Sequence, residues 1–224
     1  MFYTIRGKTD GFGAQYHAIM SGIAICSYNK WNYIHTPMTN IEHGVNIRQM
    51  NEFIGIPQSS TSIVNLSEAY SNTVHNTDVP DIYYTDDVIK QIRGFYNSTT
   101  KPSLDANNIV IHIRRGDVRE SNTDRYTHNH IYKKIIKQLK EKYPTYKITI
   151  HSQGNAEDFS DLISENVSLS LNTDLRITFH SMATAKVLVM SKSSLSYSAA
   201  ILNDNEVYYV PFWHKPLKRW NIIT

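Results

Sequence analysis

Two adjacent arginines stand where a strongly apolar run ends. Ile109–Ile113 has the composition of a buried strand, and Arg114, Arg115, a glycine and Asp117 follow it directly. Guanidinium groups carry a permanent positive charge and bind phosphate oxygens through paired hydrogen bonds. Another strand-like run is followed by the serine-rich segment 191–196, "SKSSLS", which opens a helix whose hydroxyls and free amides can also donate to an anion. Together the two segments predict an anion site whose natural ligand is a phosphate or pyrophosphate.

Strand-like and helix-like segments alternate along residues 105–224. Strict alternation predicts βαβ units, and therefore a parallel sheet with helices on both faces. Ligands of such sheets bind beyond the carboxyl ends of the strands, where the arginine pair and the serine segment both lie. We therefore predict an α/β fold with a Rossmann-like domain at 105–224 that contains a mainly parallel five-stranded sheet. The predicted strands are Ile109–Ile113, Lys147–His151, Val167–Leu171, Val187–Met190 and Val207–Val210, and the predicted helices begin near Asn129, Asp158, Ile177 and Leu195.

Residues 1–104 predict a smaller α/β domain. The polar segment 57–80 predicts a loop region with one short strand at "SIVNL", and "NSTTKPSLDANN" predicts a linker. The other predicted elements are strands at Phe2–Arg6 and in "YIHTP", and helices at Ala14–Tyr28, Val45–Ile54 and Asp86–Tyr96, the last with Thr85 as its N-cap.

The composition is that of an ordinary globular protein. Of 224 residues, 41 % are hydrophobic and 19 % are charged, which argues against disorder. The formal net charge is only +3, so no nucleic-acid partner is expected and any anion binding must be local. Cys26 is the single cysteine, which excludes an internal disulfide. No apolar run approaches the roughly 18 residues of a membrane span and no leader pattern opens the chain, so we expect a cytoplasmic protein without an integral membrane segment.

Each of these features also has a purely structural interpretation. Two arginines at a strand end often form a solvated pair or a salt bridge, and serines at a helix start often act only as caps. The tripeptide Arg115–Asp117 matches an adhesion signal, but that signal requires a protruding loop in an exported protein. His128–His130 lies just before a helix and lacks the spaced partners of a metal site. The anion site is favoured because its parts fall at the same edge of the predicted sheet.

The segment "HIRRGD" at 112–117 resembles the HxRRGD motif of the superfamily of α1,2-, α1,6- and protein O-fucosyltransferases. Residues 180–202, "HSMATAKVLVMSKSSLSYSAAIL", resemble the third motif of that superfamily, in which a helix and a strand lead to a serine-rich run and another helix. Near the N-terminus, "GFGAQYHAIMSGIAIC" resembles the glycine loop that opens the first helix of the acceptor-side domain. The resemblance covers most of the chain, apart from residues 38–105.

The resemblance implies a GT-B-type enzyme with two Rossmann-like domains, the N-terminal one small and on the acceptor side. It implies an inverting, metal-independent transfer of fucose from GDP-fucose, or of a related nucleotide sugar, to a glycan acceptor, with no cofactor. Arg114 would stabilise the leaving diphosphate, because a fixed guanidinium neutralises the charge that builds there. His112 would contact the nucleotide or support the arginine, and Arg115 and Asp117 would pair to shape the loop. The implied donor-binding residues are His112, Arg115, Asp117, His180, Ser193, Ser194, Ser196, Gly11, Gly13 and Gln15.

The sequence leaves more than one donor and more than one activity possible. Ala14, Thr178 and Leu195 differ from the residues that the superfamily usually carries there, so another nucleotide sugar is an alternative donor. A non-catalytic nucleotide- or glycan-binding module is a further alternative, suggested by the small N-terminal half. No convincing DxD motif is present, since Asp86 and Asp87 open a helix, and this favours metal independence.

The catalytic base and the acceptor contacts also stay open. An inverting displacement requires a carboxylate or histidine near the acceptor hydroxyl. The tail "PFWHKPLKRW", with Trp213 and Trp220, either stacks on acceptor sugars or packs across the domain interface. The candidates for the base are Asp10, His17, Asp117 and Glu120.

Overall fold

The chain divides into two compact units. In the computed structural model, which describes residues 1–58, 75, 77–104 and 109–223, the first unit contains Met1–Lys101 and Trp213–Lys218. The second unit contains Pro102–Phe212 and Arg219–Thr224. The first unit therefore includes a short segment from near the C-terminus, whereas the predicted boundary placed all residues after 104 in the second domain. The strand expected at "SIVNL" lies outside the described residues.

The described part of the first unit contains a long buried helix and a short parallel pair of strands. Helix α1 (Phe12–Asn29) is buried from its start to Cys26, apart from Ala14. Strand β1 (Phe2–Tyr3) pairs with β2 (Asn32–Tyr33). Both strands are shorter than predicted, because only two residues of each find a partner, and β2 overlaps the strand expected in "YIHTP" only at Tyr33.

Two further helices of the first unit begin at side-chain caps. Helix α2 (Ile47–Ile54) follows Asn46, whose Oδ1 accepts a hydrogen bond from the Gln49 amide at 3.1 Å. Helix α3 (Asp86–Asn97) follows Thr85, whose Oγ1 accepts from the Val88 amide at 3.4 Å. The predicted Thr85 cap is confirmed, and α2 begins two residues later than expected because Asn46 is its cap.

The second unit is built around a six-stranded parallel sheet. The predicted α/β class with a mainly parallel sheet is confirmed, with one strand more than expected. The additional strand is only two residues long, which is too short to show a hydrophobic pattern in the sequence. The strands are β3 (Ile109–His112), β4 (Ile148–Ser152), β5 (Val167–Leu171), β6 (Val187–Val189), β7 (Glu206–Tyr209) and β8 (Asn221–Ile222), and their order in the sheet is β5-β4-β3-β6-β7-β8.

Helices cover this sheet, and its central strands form the core. Every residue of β3 is buried, as expected for a strand that a parallel sheet encloses on both faces. Helix α4 (Asn129–Lys142) places Tyr132, Ile135 and Leu139 against the sheet. Burial of an aliphatic side chain such as Ile135 or Leu139 contributes about 1.5–3 kcal/mol. Helix α5 (Leu175–Thr184) packs against α6 (Ser194–Leu202) and against β3.

Two sequence predictions in the second unit differ in detail from the structure. A 3₁₀ helix spans Ala156–Leu162 where an α-helical turn was expected at "DFSDLI". Helix α5 begins at Leu175 rather than near Ile177, because the Asp174 carboxylate accepts from the Arg176 amide at 2.8 Å and caps the helix earlier. Within the described ranges, no helix is long and apolar enough to cross a membrane.

The C-terminus of α2 gives a stability prediction. Gly55 ends this helix at φ 69°, and a Cβ there would lie 2.0 Å from the Phe95 carbonyl oxygen. Gly55→Ala should therefore lower the free energy of unfolding by about 1–3 kcal/mol, since it combines a left-handed conformation with a backbone clash. Urea denaturation of the purified chain measures the change.

Gly94→Ala is the matched control. Gly94 is exposed in the interior of α3, and a Cβ there meets nothing within 4 Å. The same substitution should raise the free energy of unfolding by about 0.5–1 kcal/mol, because alanine loses less conformational entropy in a helix. Equal effects of the two substitutions would show that the strain at Gly55 is not what the geometry indicates.

Candidate anion-binding site

The order in which the chain adds strands to the sheet of the second unit reverses between β3 and β6. The chain proceeds from β3 outward to β4 and β5, whereas from β6 it proceeds to β7 and β8 on the other side. Loops that leave the carboxyl ends of such a strand pair diverge, and they form the crevice in which open α/β sheets bind ligands. Arg114 lies on the loop after β3, and the serine segment 191–196 follows β6. The fold thus places both segments of the predicted anion site at one crevice.

Arg114 connects the two loops of this crevice. Its Nη1 donates to the Lys192 carbonyl oxygen at 3.2 Å, which links the loop after β3 to the loop after β6. Its Nε and Nη2 bind the two carboxylate oxygens of Asp117 at 3.2 and 2.5 Å. The side chain is 19 % exposed, so the guanidinium is held from two sides and still reaches the solvent. A guanidinium held in this way is already positioned at the crevice, where an anionic ligand would compete with Asp117 for its N–H groups.

Asp117 pairs with Arg114, so the predicted pair of Arg115 with Asp117 is wrong. Arg115 is buried, and its Nη2 donates to the Thr127 carbonyl oxygen at 3.0 Å and to Asn129 Oδ1 at 2.8 Å. Its guanidinium also lies 3.9 Å from the centre of the Tyr126 ring. Through these contacts Arg115 fastens the loop after β3 to the start of α4.

His112 and Ser191 hold the base of the crevice together. His112 is the last residue of β3, and its Nδ1 lies 2.8 Å from Ser191 Oγ on the loop after β6. Burial is the main cause that lowers the pKa of His112 to about 3, and the nearby charges of His151 and Arg114 lower it further. The ring is therefore neutral at pH 7 and acts as a hydrogen-bonding support beneath Arg114. Ser191 was not singled out in the sequence, although it opens the serine-rich segment.

The serines predicted to contact a phosphate have different positions. Ser193 is the N-cap of α6, and its Oγ accepts from the Leu195 amide at 3.2 Å. Ser194 is the first residue of the helix and is partly exposed. Ser196 is fully buried, and its hydroxyl lies 3.2 Å from both the Ser191 and the Ser193 carbonyl oxygens. Ser193 and Ser194 thus stand at a helix N-terminus that favours anions, whereas Ser196 supports the turn from inside.

A cavity of about 690 Å³ opens beside the loop after β3. Arg115 and Gly116 line it from that loop, Asn129 lines it from α4, and Gly154 lines it from the loop after β4. Gly116 has φ 82°, a left-handed conformation that strains any other residue, and a Cβ there would also displace the Gln153 side chain. The volume lies in the range of small-molecule sites, which is about 300–1,000 Å³.

The other residues predicted to bind a donor lie within α5 or in the first unit. His180 is partly buried within α5, five residues after the helix begins, which corresponds to roughly 7.5 Å along its axis. Gly11 is the N-cap of α1, and Gly13 is buried in its first turn. Gln15 is buried, and its Nε2 donates to the carbonyl oxygens of Asp10 at 2.5 Å and Asn40 at 2.7 Å. These contacts shape the loop before α1.

The candidates for the catalytic base differ in their surroundings. Asp117 is engaged by Arg114, and Asp10 forms an ion pair with Lys8 at 3.0 Å. Glu120 is 73 % exposed and lies 3.7 Å from His128. His17 is 1 % exposed, and burial lowers its pKa well below the usual value. Glu120 is thus the candidate on the second unit whose carboxylate is most open to solvent.

The two tryptophans of the tail belong to different units. Trp220 is 5 % exposed and packs edge-on against Tyr197, with ring centroids 5.1 Å apart. Its burial fits packing within the second unit rather than stacking on a sugar. Trp213 is 42 % exposed and belongs to the first unit.

No protein-family model and no curated protein matches the sequence. Among solved structures, the chain is similar to Escherichia coli heptosyltransferase WaaC with ADP-2-deoxy-2-fluoro heptose, at a TM-score of 0.48 and 12 % identity over 99 % of this chain and 92 % of that chain. It is also similar to fucosyltransferase NodZ from Bradyrhizobium, at 0.43 and 10 % over 90 % and 92 %. POFUT1 in complex with GDP-fucose is similar at 0.45 and 10 % over 99 % and 97 %.

The buried imidazole of His112 predicts a loss of stability in acid. Its pKa is about 3 in the folded protein against about 6.5 in an unfolded chain, so the unfolded chain takes up the proton first as the pH falls. The stability that this group contributes is complete above pH 6.5 and is lost progressively below it. His112→Asn removes the titrating ring but keeps a group that can bond Ser191. Between pH 7 and pH 5, this variant should lose about 2 kcal/mol less unfolding free energy than the wild type.

Urea denaturation at the two pH values measures this difference. His130→Asn serves as the control, because His130 is exposed. It is expected to keep the pH dependence of the wild type. An unchanged pH dependence in His112→Asn would show that the ring is not held neutral by its surroundings.

Proposed function

We propose that this protein is a glycosyltransferase that moves a sugar from a nucleotide sugar to a hydroxyl of a glycan acceptor. GDP-fucose is the first candidate for the donor, and the fold is proposed to be of the GT-B type. The choice of donor is supported by the resemblance of residues 112–117 to the HxRRGD motif. The reaction is proposed to invert the anomeric centre and to need no metal ion.

In the proposed reaction one bond forms and one breaks at the anomeric carbon. The acceptor oxygen bonds to that carbon as the bond to the β-phosphate oxygen breaks, and the electron pair leaves with the nucleoside diphosphate. The acceptor proton passes to a base or to the departing diphosphate. Negative charge therefore grows on the diphosphate, and a positive group already in position lowers the barrier most.

The arrangement of Arg114 is the observation that supports this proposal. The guanidinium stands between the loops after β3 and β6, beside the N-terminus of α6. Arg114 is proposed to contact the β-phosphate, and the amides and hydroxyls at Ser193 and Ser194 are proposed to supply neutral donors. In the free protein Asp117 balances the charge of Arg114, and an arriving diphosphate would take over part of that role.

His112 is proposed to act as a positioning residue. Its neutral ring bonds Ser191 and so fixes the distance between the two loops that Arg114 spans. Arg115 holds the same loop from the other side through Thr127 and Asn129. These residues keep Arg114 in place without the mobility of an exposed arginine, which matters because misplacement by about 1 Å can cost a hundredfold in rate.

Arg114→Ala should weaken the binding of GDP at least tenfold and reduce turnover by about a hundredfold or more, because the phosphate loses its charged partner. Isothermal titration calorimetry with GDP measures the first effect. Release of GDP from GDP-fucose, with and without a panel of glycan acceptors, measures the second. Equal affinity of the wild type and Arg114→Ala for GDP would refute the phosphate contact.

Two further variants make this test specific. Arg114→Ala leaves the Asp117 carboxylate without its ion-pair partner, so the double variant with Asp117→Asn separates repulsion from the loss of the guanidinium. If the guanidinium matters, the double variant stays impaired. Arg48→Ala removes a guanidinium from an exposed ion pair with Glu52 in the first unit and should bind GDP like the wild type.

A panel of nucleotide sugars distinguishes the alternatives. Turnover of another nucleotide sugar without any turnover of GDP-fucose would assign the protein to a different donor. Binding of GDP without turnover of any donor, over all acceptors tested, would instead favour a non-catalytic nucleotide- or glycan-binding module.

A further inference from the structure

Three histidines from distant parts of the sequence meet in the first unit. His17 lies on α1, His75 precedes the 3₁₀ helix Pro80–Ile82, and His214 lies in the C-terminal segment Trp213–Lys218. Their ring centroids are 4.3 Å apart for His17 and His75, 4.5 Å for His17 and His214, and 4.8 Å for His75 and His214. One ring nitrogen of each residue lies within 4.8 Å of the others. The three rings thus surround a common point.

We propose that His17, His75 and His214 form a binding site for a divalent transition-metal ion, with Zn²⁺ as the first candidate because it commonly binds three histidines. Zn²⁺ binds histidine nitrogens at about 2.0–2.1 Å, and sites with three protein ligands leave a fourth position for water or another ligand. Nitrogens around one such ion are separated by about 3.3–3.6 Å. The three ring nitrogens lie within 4.8 Å of one another, and small rotations of the side chains are proposed to bring them to this spacing when the ion binds.

The surroundings keep the three rings in the form that binds metals. Burial is the main cause that lowers the pKa of His17 well below its usual value, of His75 to about 4 and of His214 to about 3. Burial thus favours the neutral form of all three rings, and a neutral imidazole offers a lone pair to a metal ion. The positive charge of Lys8, which also lowers the pKa of His17, is balanced by its ion pair with Asp10 at 3.0 Å.

The indole of Trp213 identifies which nitrogen of His214 carries the lone pair. Trp213 Nε1 lies 3.1 Å from His214 Nε2, and an indole N–H can only donate. His214 Nε2 is therefore the acceptor and Nδ1 carries the proton. A metal ion on Nε2 would take the same lone pair, and a metal ion on Nδ1 would move the proton to Nε2. Either way, metal binding ends the Trp213–His214 hydrogen bond.

This site is independent of the proposed transfer reaction. Arg114, His112 and the serine segment belong to the second unit, whereas the three histidines belong to the first. Loss of glycosyl transfer would not affect the metal proposal, and failure to bind metal would not affect the phosphate contact. The two proposals are thus tested separately.

Titration of the chelator-treated full chain with ZnCl₂, followed by calorimetry at pH 7.5, tests the proposal. One Zn²⁺ per chain is expected, with a higher melting temperature in its presence because the ion binds the folded state. MgCl₂ should not bind, since Mg²⁺ prefers oxygen ligands. Absence of stoichiometric Zn²⁺ binding would overturn the proposal.

His75→Asn and His214→Asn should each weaken Zn²⁺ binding at least tenfold. His75 is the least buried of the three, so its variant keeps the test valid if substitution of His17 or His214 prevents folding. His151→Asn is the matched control, because His151 is also buried with a lowered pKa but pairs with Ser181 in the second unit. Unchanged Zn²⁺ affinity in folded His75→Asn would contradict the site.

Tryptophan fluorescence adds a readout that is specific to this geometry. Zn²⁺ does not itself quench fluorescence, so a change on titration would report the loss of the Trp213–His214 hydrogen bond. Trp213→Phe should abolish this change but retain Zn²⁺ binding, because its ring supplies no ligand. A fluorescence change that persists undiminished in Trp213→Phe would contradict this readout, because the signal would then come from Trp31 or Trp220.

Discussion

The parallel pairing of β3 with β6 is the constraint on which the candidate site depends. Ile109 is paired with Val187 and Ile111 with Val189, so the two strands reach the edge of the sheet together. This register brings His112 beside Ser191 and lets Arg114 reach the Lys192 carbonyl oxygen. A shift of one residue would direct these side chains to the opposite face. The apolar residues of β3, which are buried on both faces of the sheet, fix this register and therefore also determine the geometry of the site.

The two adjacent arginines have separate tasks because they contact different groups. Arg115 is desolvated, and the energetic cost of burying its charge is offset by carbonyl and amide oxygens and by the ring of Tyr126. Arg114 keeps access to solvent and is balanced by Asp117. A lysine at position 115 could not reproduce this arrangement, because an ammonium group lacks the planar fork that reaches several acceptors and stacks on an aromatic ring.

The sequence predicted the second unit well because its strands are continuous apolar runs separated by amphipathic helices. Such patterns are local, so they can be recognised without knowing which strands and helices pack against each other. The missing features depend on long-range contacts instead. Strand β8 exists only because Tyr208 and Tyr209 pair with Asn221 and Ile222. The arginine that pairs with Asp117 was predicted wrongly, because two neighbouring arginines look alike in a sequence and only the folded loop shows which of them reaches the carboxylate.

The first unit was predicted less completely for the same physical reason. Its strands have two residues each, so they carry almost no periodicity. The meeting of His17, His75 and His214 is invisible in the sequence, where each histidine stands alone among unrelated neighbours. Burial then changes their chemistry, because desolvation keeps the rings neutral at a pH where exposed histidines begin to take up protons.

The chain between β7 and β8 contributes residues to both units. This segment supplies His214 to the first unit, and it continues into β8, the sixth strand of the second. Neither unit has all of its described elements until these C-terminal residues are in place. A ligand that fixes His214 would therefore restrict the same stretch of chain that must deliver β8 to the edge of the sheet. Connectivity alone thus gives a reason for the two units to be stabilised together.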